Sequence, residues 1–357
     1  MNVVIVSGIW PPDVGGPASH APELADFLHG RGHAVHVVTT ADAAPEPRPY
    51  PVDWMPRRYP PGVRHFFTAG LVHRAGREAD VVYSTGMLGR SVLGSMGGPL
   101  VVRLAGDPVY ERALRRGWTA APLDRFQAQR GAAVAALRRL RDVELRRARR
   151  IVVPSRALAA VVAGWGFESE VVPHAVSAPA LPEKPGEEPT LVFAGRLVPQ
   201  KALAVAFEAV RRNPHVRLLV AGDGPERARA ESDAPPNASF LGAQPRAKVF
   251  ELLRAADATL LSSDWESFGL VAAESLAVGT PVIAAAAGGV GEVLENERNG
   301  LLVPPGDADA LAGAIRRFFA DPDLRQRLRA AAAASVRRLA PGEIYPRYER
   351  ILEEAAR

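Results

Sequence analysis

Apolar residues along this chain come in short unbroken runs rather than in strict alternation with polar ones. In the first half the runs are NVVIVS (2–7), AVHVVT (34–39), DVVYST (80–85), LVVRL (100–104) and RIVVPS (150–155). Runs of this length predict strands buried on both faces, as in a parallel sheet covered by helices, and helical stretches such as HAPELADFLHGRG fall between them. After residue 189 the pattern starts afresh with TLVFAG (190–195), VRLLVAG (216–222), ASFLG (238–242), ATLLSS (258–263), PVIAA (281–285) and GLLVP (300–304). The pattern predicts two doubly wound α/β domains. Residues 173–189, PHAVSAPALPEKPGEEP, are proline-rich and aperiodic, and are expected to link a first domain (1–172) to a second (190–341). The last segment, 342–357, is expected to be a helix that packs back on the first domain. Folds of this plan bind ligands at the carboxyl ends of the strands, so a cleft between the domains is the expected site.

The composition agrees with two domains. The chain has 357 residues, 47% of them hydrophobic, and ample material for buried cores. No apolar run approaches the roughly 20 residues that cross a bilayer, and MNVVIVSGIWPP enters strand-like sequence without a basic leader, so a cytoplasmic protein is expected. With no cysteine, thiolate metal sites, disulfides and cysteine nucleophiles are excluded. The net charge of +5 invites a nucleic-acid reading. The excess is modest, however, and of 44 basic residues only Lys184, Lys201 and Lys248 are lysines, a bias that looks compositional; no nucleic-acid partner is expected. Arginines concentrate in DRFQAQRGAAVAALRRLRDVELRRARR (124–150), which has the spacing of one amphipathic helix. It is either a solvated helix packed on a sheet or a surface that meets anionic lipid or an anionic acceptor.

Three stretches carry candidate chemistry. After the first strand, SGIWPPDVGGPASHAPEL places Gly15 and Gly16 at a turn whose amides can face an anion; a tight turn with no ligand explains it equally. No G-x-G-x-x-G and no G-x-x-x-x-G-K-[ST] is present, which weakens nicotinamide and P-loop readings. In FAGRLVPQKALAVAFEAV, Arg196 leaves a strand and Lys201 stands where a helix begins, a position at which a cation opposes the helix dipole unless an anion accompanies it. In DWESFGLVAAES, Glu266 precedes a helix expected from Phe268 to Ala277, and Glu274 lies inside it, so the two acids can line opposite walls of one polar site or be scattered surface acids.

AGRLVPQKALAVAFEAV, VAGDGPER, the run from FLGAQPRAKVFELLRAADATLLSSDWESFGLVAAESLAVGTPVIAAAAGGVGEV to LENERNGLLVPPGDADALAGAI, and GGPASHAPELADFLHGRGHAVHVVT together resemble the retaining glycosyltransferases of family 4, which have the GT-B fold. The resemblance covers almost the whole second half and thins in the first half beyond GHAVHVVT. It implies a metal-independent transferase with no cofactor that takes a UDP-, GDP- or ADP-sugar and a hydroxyl acceptor. It further implies that Arg196 and Lys201 hold the diphosphate, that Glu274 binds the ribose, that Glu266 approaches the transferred sugar, and that the amides of Phe268, Gly269 and Leu270 contact sugar and phosphate. Gly16, with Gly15, would let the first domain close over the diphosphate.

The sequence departs from that pattern in PLVVRLAGDPVYERALRRG, where Gly106 and Asp107 stand in place of a histidine common in the family. Asp107 is expected either to contact the sugar or acceptor, as a catalytic candidate, or to cap the helix that follows. His20 is expected to be a structural surface residue. Asp307 and Asp309 imitate a metal-binding D-x-D, but an aspartate N-cap explains them better, so no metal site is expected. The rival readings are a GT-B epimerase acting on a nucleotide sugar and a non-catalytic basic binding protein.

Overall fold

The computed structural model describes residues 1–11, 13, 16–85, 98–119, 121–182 and 188–357, with the side chains of 16–18 left aside. The chain divides into two compact units, Met1–Ala175 with Gly342–Arg357, and Val176–Pro341.

The first unit has a seven-stranded sheet in the order β3-β2-β1-β4-β5-β6-β7, every pair parallel. The strands are β1 (Asn2–Ser7), β2 (Ala34–Ala41), β3 (Val52–Pro56), β4 (Val81–Thr85), β5 (Leu100–Arg103), β6 (Arg150–Val153) and β7 (Glu170–Val171). Successive residues serve opposite faces. Val3 and Ile5 join one core with Tyr83 and Val101, and Val4 and Val6 join another with Val82 and Val102. The helix Pro341–Ala356 completes the first of these cores through Ile344, Tyr345, Tyr348, Ile351 and Leu352, which lie on one stripe at helical spacing.

The second unit has a six-stranded parallel sheet in the order β10-β9-β8-β11-β12-β13. Its strands are β8 (Thr190–Ala194), β9 (Arg217–Ala221), β10 (Ala238–Gly242), β11 (Ala258–Leu261), β12 (Val282–Ala285) and β13 (Gly300–Val303). The chain winds outward from β8 through β9 to β10, then returns to β11 on the other side of β8. The loops leaving β8 and β11 therefore part in opposite directions, which opens a crevice at the carboxyl edge of the sheet.

Three details differ from the pattern read in sequence. Strands β3 and β7 occupy the two edges of the first sheet and were absent from the apolar runs. The arginine-rich segment is two helices, Leu123–Ala128 and Ala132–Arg147, interrupted at Gln129–Gly131. The helix after Glu266 starts at Leu270 rather than Phe268.

Candidate active site

The crevice of the second unit gathers the predicted residues of FAGRLVPQK and DWESFG. Arg196 leaves β8 exposed, and its guanidinium has no partner among the described residues. Lys201 ends a short 3-10 turn, Pro199–Lys201, and Ala202 follows at φ +47°, a left-handed conformation that costs a residue with a Cβ about 1 kcal/mol or more. The helix proper begins only at Leu203, so the ammonium sits on a strained link rather than against an aligned helix dipole.

Lys201 Nζ donates to Glu266 Oε1. Ser263 Oγ donates to the same oxygen at 2.7 Å, and the two charged side chains are only 17% and 12% exposed. The backbones are tied as well: Gln200 Nε2 donates to the Trp265 carbonyl at 2.6 Å, and the Asp264 N–H donates to the Gln200 carbonyl at 2.9 Å. The loop leaving β12 closes the third side. The Gly289 N–H donates to the Glu266 carbonyl at 2.8 Å, and a Cβ on Gly288, at φ +56°, would lie 2.2 Å from that carbonyl oxygen. Glycine is required there for steric and conformational reasons together.

Phe268 is buried, and Gly269, at φ +86°, precedes the helix Leu270–Ala277 without a side-chain cap. That leaves the first-turn amides of the helix to solvent or to a ligand, a few residues after Glu266 and its ion pair with Lys201. Glu274 lies one turn into the helix and is buried. Its Oε1 accepts from Arg246 Nη2 at 3.2 Å, and the Arg246 guanidinium lies 5.4 Å from the centroid of the Phe250 ring. The two acids thus enter separate ion pairs. Arg246 had no signal in sequence beyond its place after Pro245 at the start of the helix Arg246–Ala255.

The other predicted residues lie in the first unit. Gly16 opens the helix Gly16–Gly30, and Gly15 lies outside the described residues. Asp107 is the N-cap of the helix Pro108–Arg115, accepting from the N–H groups of Val109 at 2.9 Å and Tyr110 at 3.3 Å. Its second oxygen accepts from Gln127 Nε2 at 3.0 Å, and the side chain has no exposed surface. Of the two roles open to Asp107 in sequence, the carboxylate performs the cap.

His20 is buried, which corrects its placement at the surface. Its Nε2 lies 2.7 Å from the Tyr83 hydroxyl, and its ring packs 5.0 Å from that of Tyr348. Arg103, 1% exposed, donates through Nε to the Tyr348 hydroxyl at 2.9 Å and through Nη2 to the His174 ring at 3.0 Å. Among the described residues no carboxylate pairs with it. Burial, then the charge of Arg103, hold both histidines well below their ordinary pKa and therefore neutral.

Asp307 caps the helix Ala308–Ala320 by accepting from the Ala310 N–H at 2.8 Å, while Asp309 pairs with Arg212. His33, Glu349 and Glu353 form a cluster whose ligand atoms lie within 4.8 Å of one another. There His33 Nε2 is already 2.8 Å from Glu349 Oε1, and Arg31 pairs with the same oxygen, so ion pairing accounts for it.

Comparison with known proteins gives the same assignment for both halves. Residues 179–335 match the family described as glycosyl transferases group 1, and residues 14–178 match glycosyltransferase family 4. The chain is 30% identical to the D-inositol 3-phosphate glycosyltransferase of Xylanimonas cellulosilytica, over 91% of this chain and 88% of that protein. It is 34% identical to the lipopolysaccharide core biosynthesis glycosyltransferase LpsD of Rhizobium meliloti, over 52% of this chain and 57% of that one. Among solved structures, sucrose-phosphate synthase from Thermosynechococcus elongatus superposes with a TM-score of 0.79 at 22% identity, covering 99% of this chain and 98% of that one. Anabaena HepE, in complex with UDP and glucose, gives 0.78 at 18% identity, covering 99% and 100%. The two parallel sheets have the architecture of these GT-B structures, and the chain belongs to the family 4, or group 1, glycosyltransferases.

Proposed function

We propose that the protein transfers a sugar from a nucleoside-diphosphate sugar to a hydroxyl acceptor with retention at the anomeric carbon and without a metal ion. The observation that carries this reading is the pairing of Lys201 with Glu266, beside Arg196, at the switch point between β8 and β11. A diphosphate placed there meets two cations. Lys201 exchanges its carboxylate partner for a phosphate oxygen, and the leaving group's charge is stabilised by side chains already in place. Glu266, released from Lys201 and still held by Ser263, turns its second oxygen to hydroxyls of the transferred sugar. Glu274, with two acceptor oxygens, takes the ribose, and the amides of Phe268, Gly269 and Leu270 take sugar and phosphate oxygens. In a front-face reaction the acceptor oxygen bonds to the anomeric carbon on the side from which the diphosphate leaves, and its proton passes to the departing phosphate oxygen. Asp107 holds the start of its helix and takes no part in the transfer.

HepE is described in complex with UDP and with UDP-glucose, which favours a uridine donor here. The relatives' names, inositol phosphate and lipopolysaccharide core transferases, favour a polar hydroxyl acceptor destined for a glycolipid or glycan. Among the described residues no helix is long and apolar enough to cross a membrane. The arginine-rich helix Ala132–Arg147 is the part of this reading that meets an anionic membrane surface from the cytoplasmic side.

A thermal-shift panel of UDP, GDP, ADP and their sugars tests the donor. A ligand that binds only the folded state at 100 times its Kd stabilises it by about 2.7 kcal/mol, and one nucleotide family is expected to stand apart. With that donor and a hydroxyl acceptor, turnover is expected to survive excess chelator and to give a product of unchanged anomeric configuration. Activity that disappears with chelator and returns with magnesium or manganese would overturn the metal-free assignment of Arg196 and Lys201. A donor that binds but yields only its own epimer would favour the epimerase reading.

A further inference from the structure

The exposed large hydrophobic residues among those described, Tyr59, Val63, Phe66, Phe67, Leu140 and Val143, all belong to two places in the first unit. The first four sit at or just before the opening turns of the helix Pro61–Gly76, and the last two on the helix Ala132–Arg147. Both helices cover the same face of the sheet, since Val72 of one and Leu145 of the other enter one core with Val4, Val6 and Val102. Phe66 is 77% exposed and Phe67 53%, with ring centroids 5.7 Å apart in an edge-to-face pair. Two adjacent phenylalanines left in water cost solvation free energy for which the fold has no use, because the helix anchors itself through Thr68 and Val72.

The charge around these side chains says what covers them. The helix Pro61–Gly76 carries Arg64 and Arg74 and no acid of its own, though Arg74 pairs with Asp53 at 2.9 Å and Arg64 donates to the Arg57 carbonyl, and Arg58 lies 5.7 Å from the ring centroid of Tyr59 just before it. The helix Ala132–Arg147 carries five arginines against Asp142 and Glu144, and Arg139, Arg146 and Arg147 are exposed beside Leu140 and Val143. A second copy of this chain would bring cation against cation, whereas a bilayer containing anionic lipid offers negative headgroups to the guanidinium groups and an apolar layer to the rings. In a parallel βα unit the helices run opposite to the strands. The opening turns that bear Phe66 and Phe67 therefore lie at the carboxyl edge of the sheet, the edge at which this fold presents its ligand-binding loops.

We infer that Phe66 and Phe67, with Tyr59 and Val63, form an apolar anchor that inserts into the headgroup region of an anionic bilayer. This deepens the membrane reading of the helix Ala132–Arg147 and rests on it for the attraction, while the anchor itself contributes the part of the binding that salt does not screen. Co-sedimentation of the full chain with phosphatidylcholine vesicles, with and without phosphatidylglycerol, at low and at high salt, tests it, using the wild type, F66S/F67S and R139E/R146E. The expected result is that wild type binds the anionic vesicles and keeps a bound fraction at high salt. F66S/F67S should lose that fraction and bind at least about tenfold more weakly at low salt, since each buried phenylalanine is worth about tenfold or more. Its melting temperature and nucleotide-induced thermal shift should be unchanged, because both rings are outside the core. R139E/R146E should lose binding at low salt. Wild-type binding to neither vesicle would overturn both membrane readings. Equal salt-resistant binding by wild type and F66S/F67S would overturn the anchor alone and leave the basic helix standing. A wild-type dimer that F66S/F67S converts to a monomer would show the patch to be a contact between copies and would likewise overturn the anchor.

Discussion

Lys201 and Arg103 are both cations drawn largely out of water, and the protein holds them in opposite ways. Lys201 has a carboxylate partner, sits beside a strained link at Ala202, and keeps 17% of its side chain in solvent. Arg103 is sealed at 1% exposure among hydroxyls and imidazoles that are neutral, with no carboxylate among the described residues. A cation that is to receive a ligand needs a partner of its own strength that can be exchanged, because an unpaired charge in a closed cavity costs several kcal/mol. Arg103 is met instead by neutral dipoles held in place by packing, which offset its desolvation only in part. Arg103 reaches from β5 to Tyr348 on the returning C-terminal helix and to His174 near the point where the chain leaves the first unit, so its hydrogen bonds join segments far apart in sequence.

The largest effect that separates the two is on turnover. Lys201→Ala is expected to lower it by about 10²–10³-fold, the usual consequence of losing one preorganised group that faces developing negative charge. The melting temperature should hold, since the loss also frees Glu266 at a part-exposed site. Arg103→Leu should do the reverse: a lower melting temperature from a Tyr348 hydroxyl and a His174 ring deprived of their donor, at about 1–3 kcal/mol, with nucleotide affinity intact. Steady-state rates and thermal melts on the two variants check this. A Lys201→Ala protein that melts early and turns over normally would break the comparison.

The next effect is on pH. His20 and His174 have folded-state pKa values well below the ordinary 6.5. Below that value the unfolded chain binds protons that the folded chain refuses, so stability is full above about pH 6.5 and falls as the pH drops toward the folded values. Each histidine contributes a slope of about 1.4 kcal/mol per pH unit in that window. Urea melts between neutrality and mild acid should show it. His20→Phe should remove part of the slope, and Arg103→Leu should weaken it, because the guanidinium is the second cause of both depressions.

Sequence was most readable where one physical requirement acted alone. All the strands of the second sheet were visible as apolar runs: β8, β11 and β12 because they are buried almost throughout, and the half-buried edge strand β10 because its run ASFLG is still mostly apolar. β3 escaped because an edge strand is half-buried and tolerates flanking prolines, as in PVDWMP, and β7 because two residues carry no pattern. Lys201 was legible as a cation misplaced at a helix start and Glu266 as an acid in the loop before a helix, yet their pairing was not, since it depends on β8 lying beside β11 across 65 positions of chain. His20 was misplaced at the surface because nothing local marks its burial: the tyrosines that cover it come from β4 and from the C-terminal helix. The break at Gly131 was present in the sequence as Arg130-Gly131 and was overridden by the apolar spacing on either side.

The smallest effects concern the second ion pair and test whether an acid's partner must share its role. Glu274 is buried and Arg246 is 37% exposed at its side chain, so the carboxylate bears the desolvation and the guanidinium is largely screened. If Glu274 takes the ribose, Glu274→Ala should weaken a bare nucleoside diphosphate by about 1.5–3 kcal/mol, the cost of a charge-assisted hydrogen bond. Glu266→Ala should leave that affinity nearly unchanged and lower turnover of the nucleotide sugar, the pattern of an interaction made with the transferred group. Arg246→Ala removes only an orienting partner. Its effect on nucleotide affinity should lie within about 0–1 kcal/mol, a few-fold in Kd, and Arg246→Lys should restore most of it. Calorimetry with nucleoside diphosphate on the four variants, paired with single-turnover rates, decides the matter. An Arg246→Ala loss as large as that of Glu274→Ala would mean that the guanidinium itself touches the nucleotide, and equal losses in Glu266→Ala and Glu274→Ala would withdraw the division of roles between the two acids.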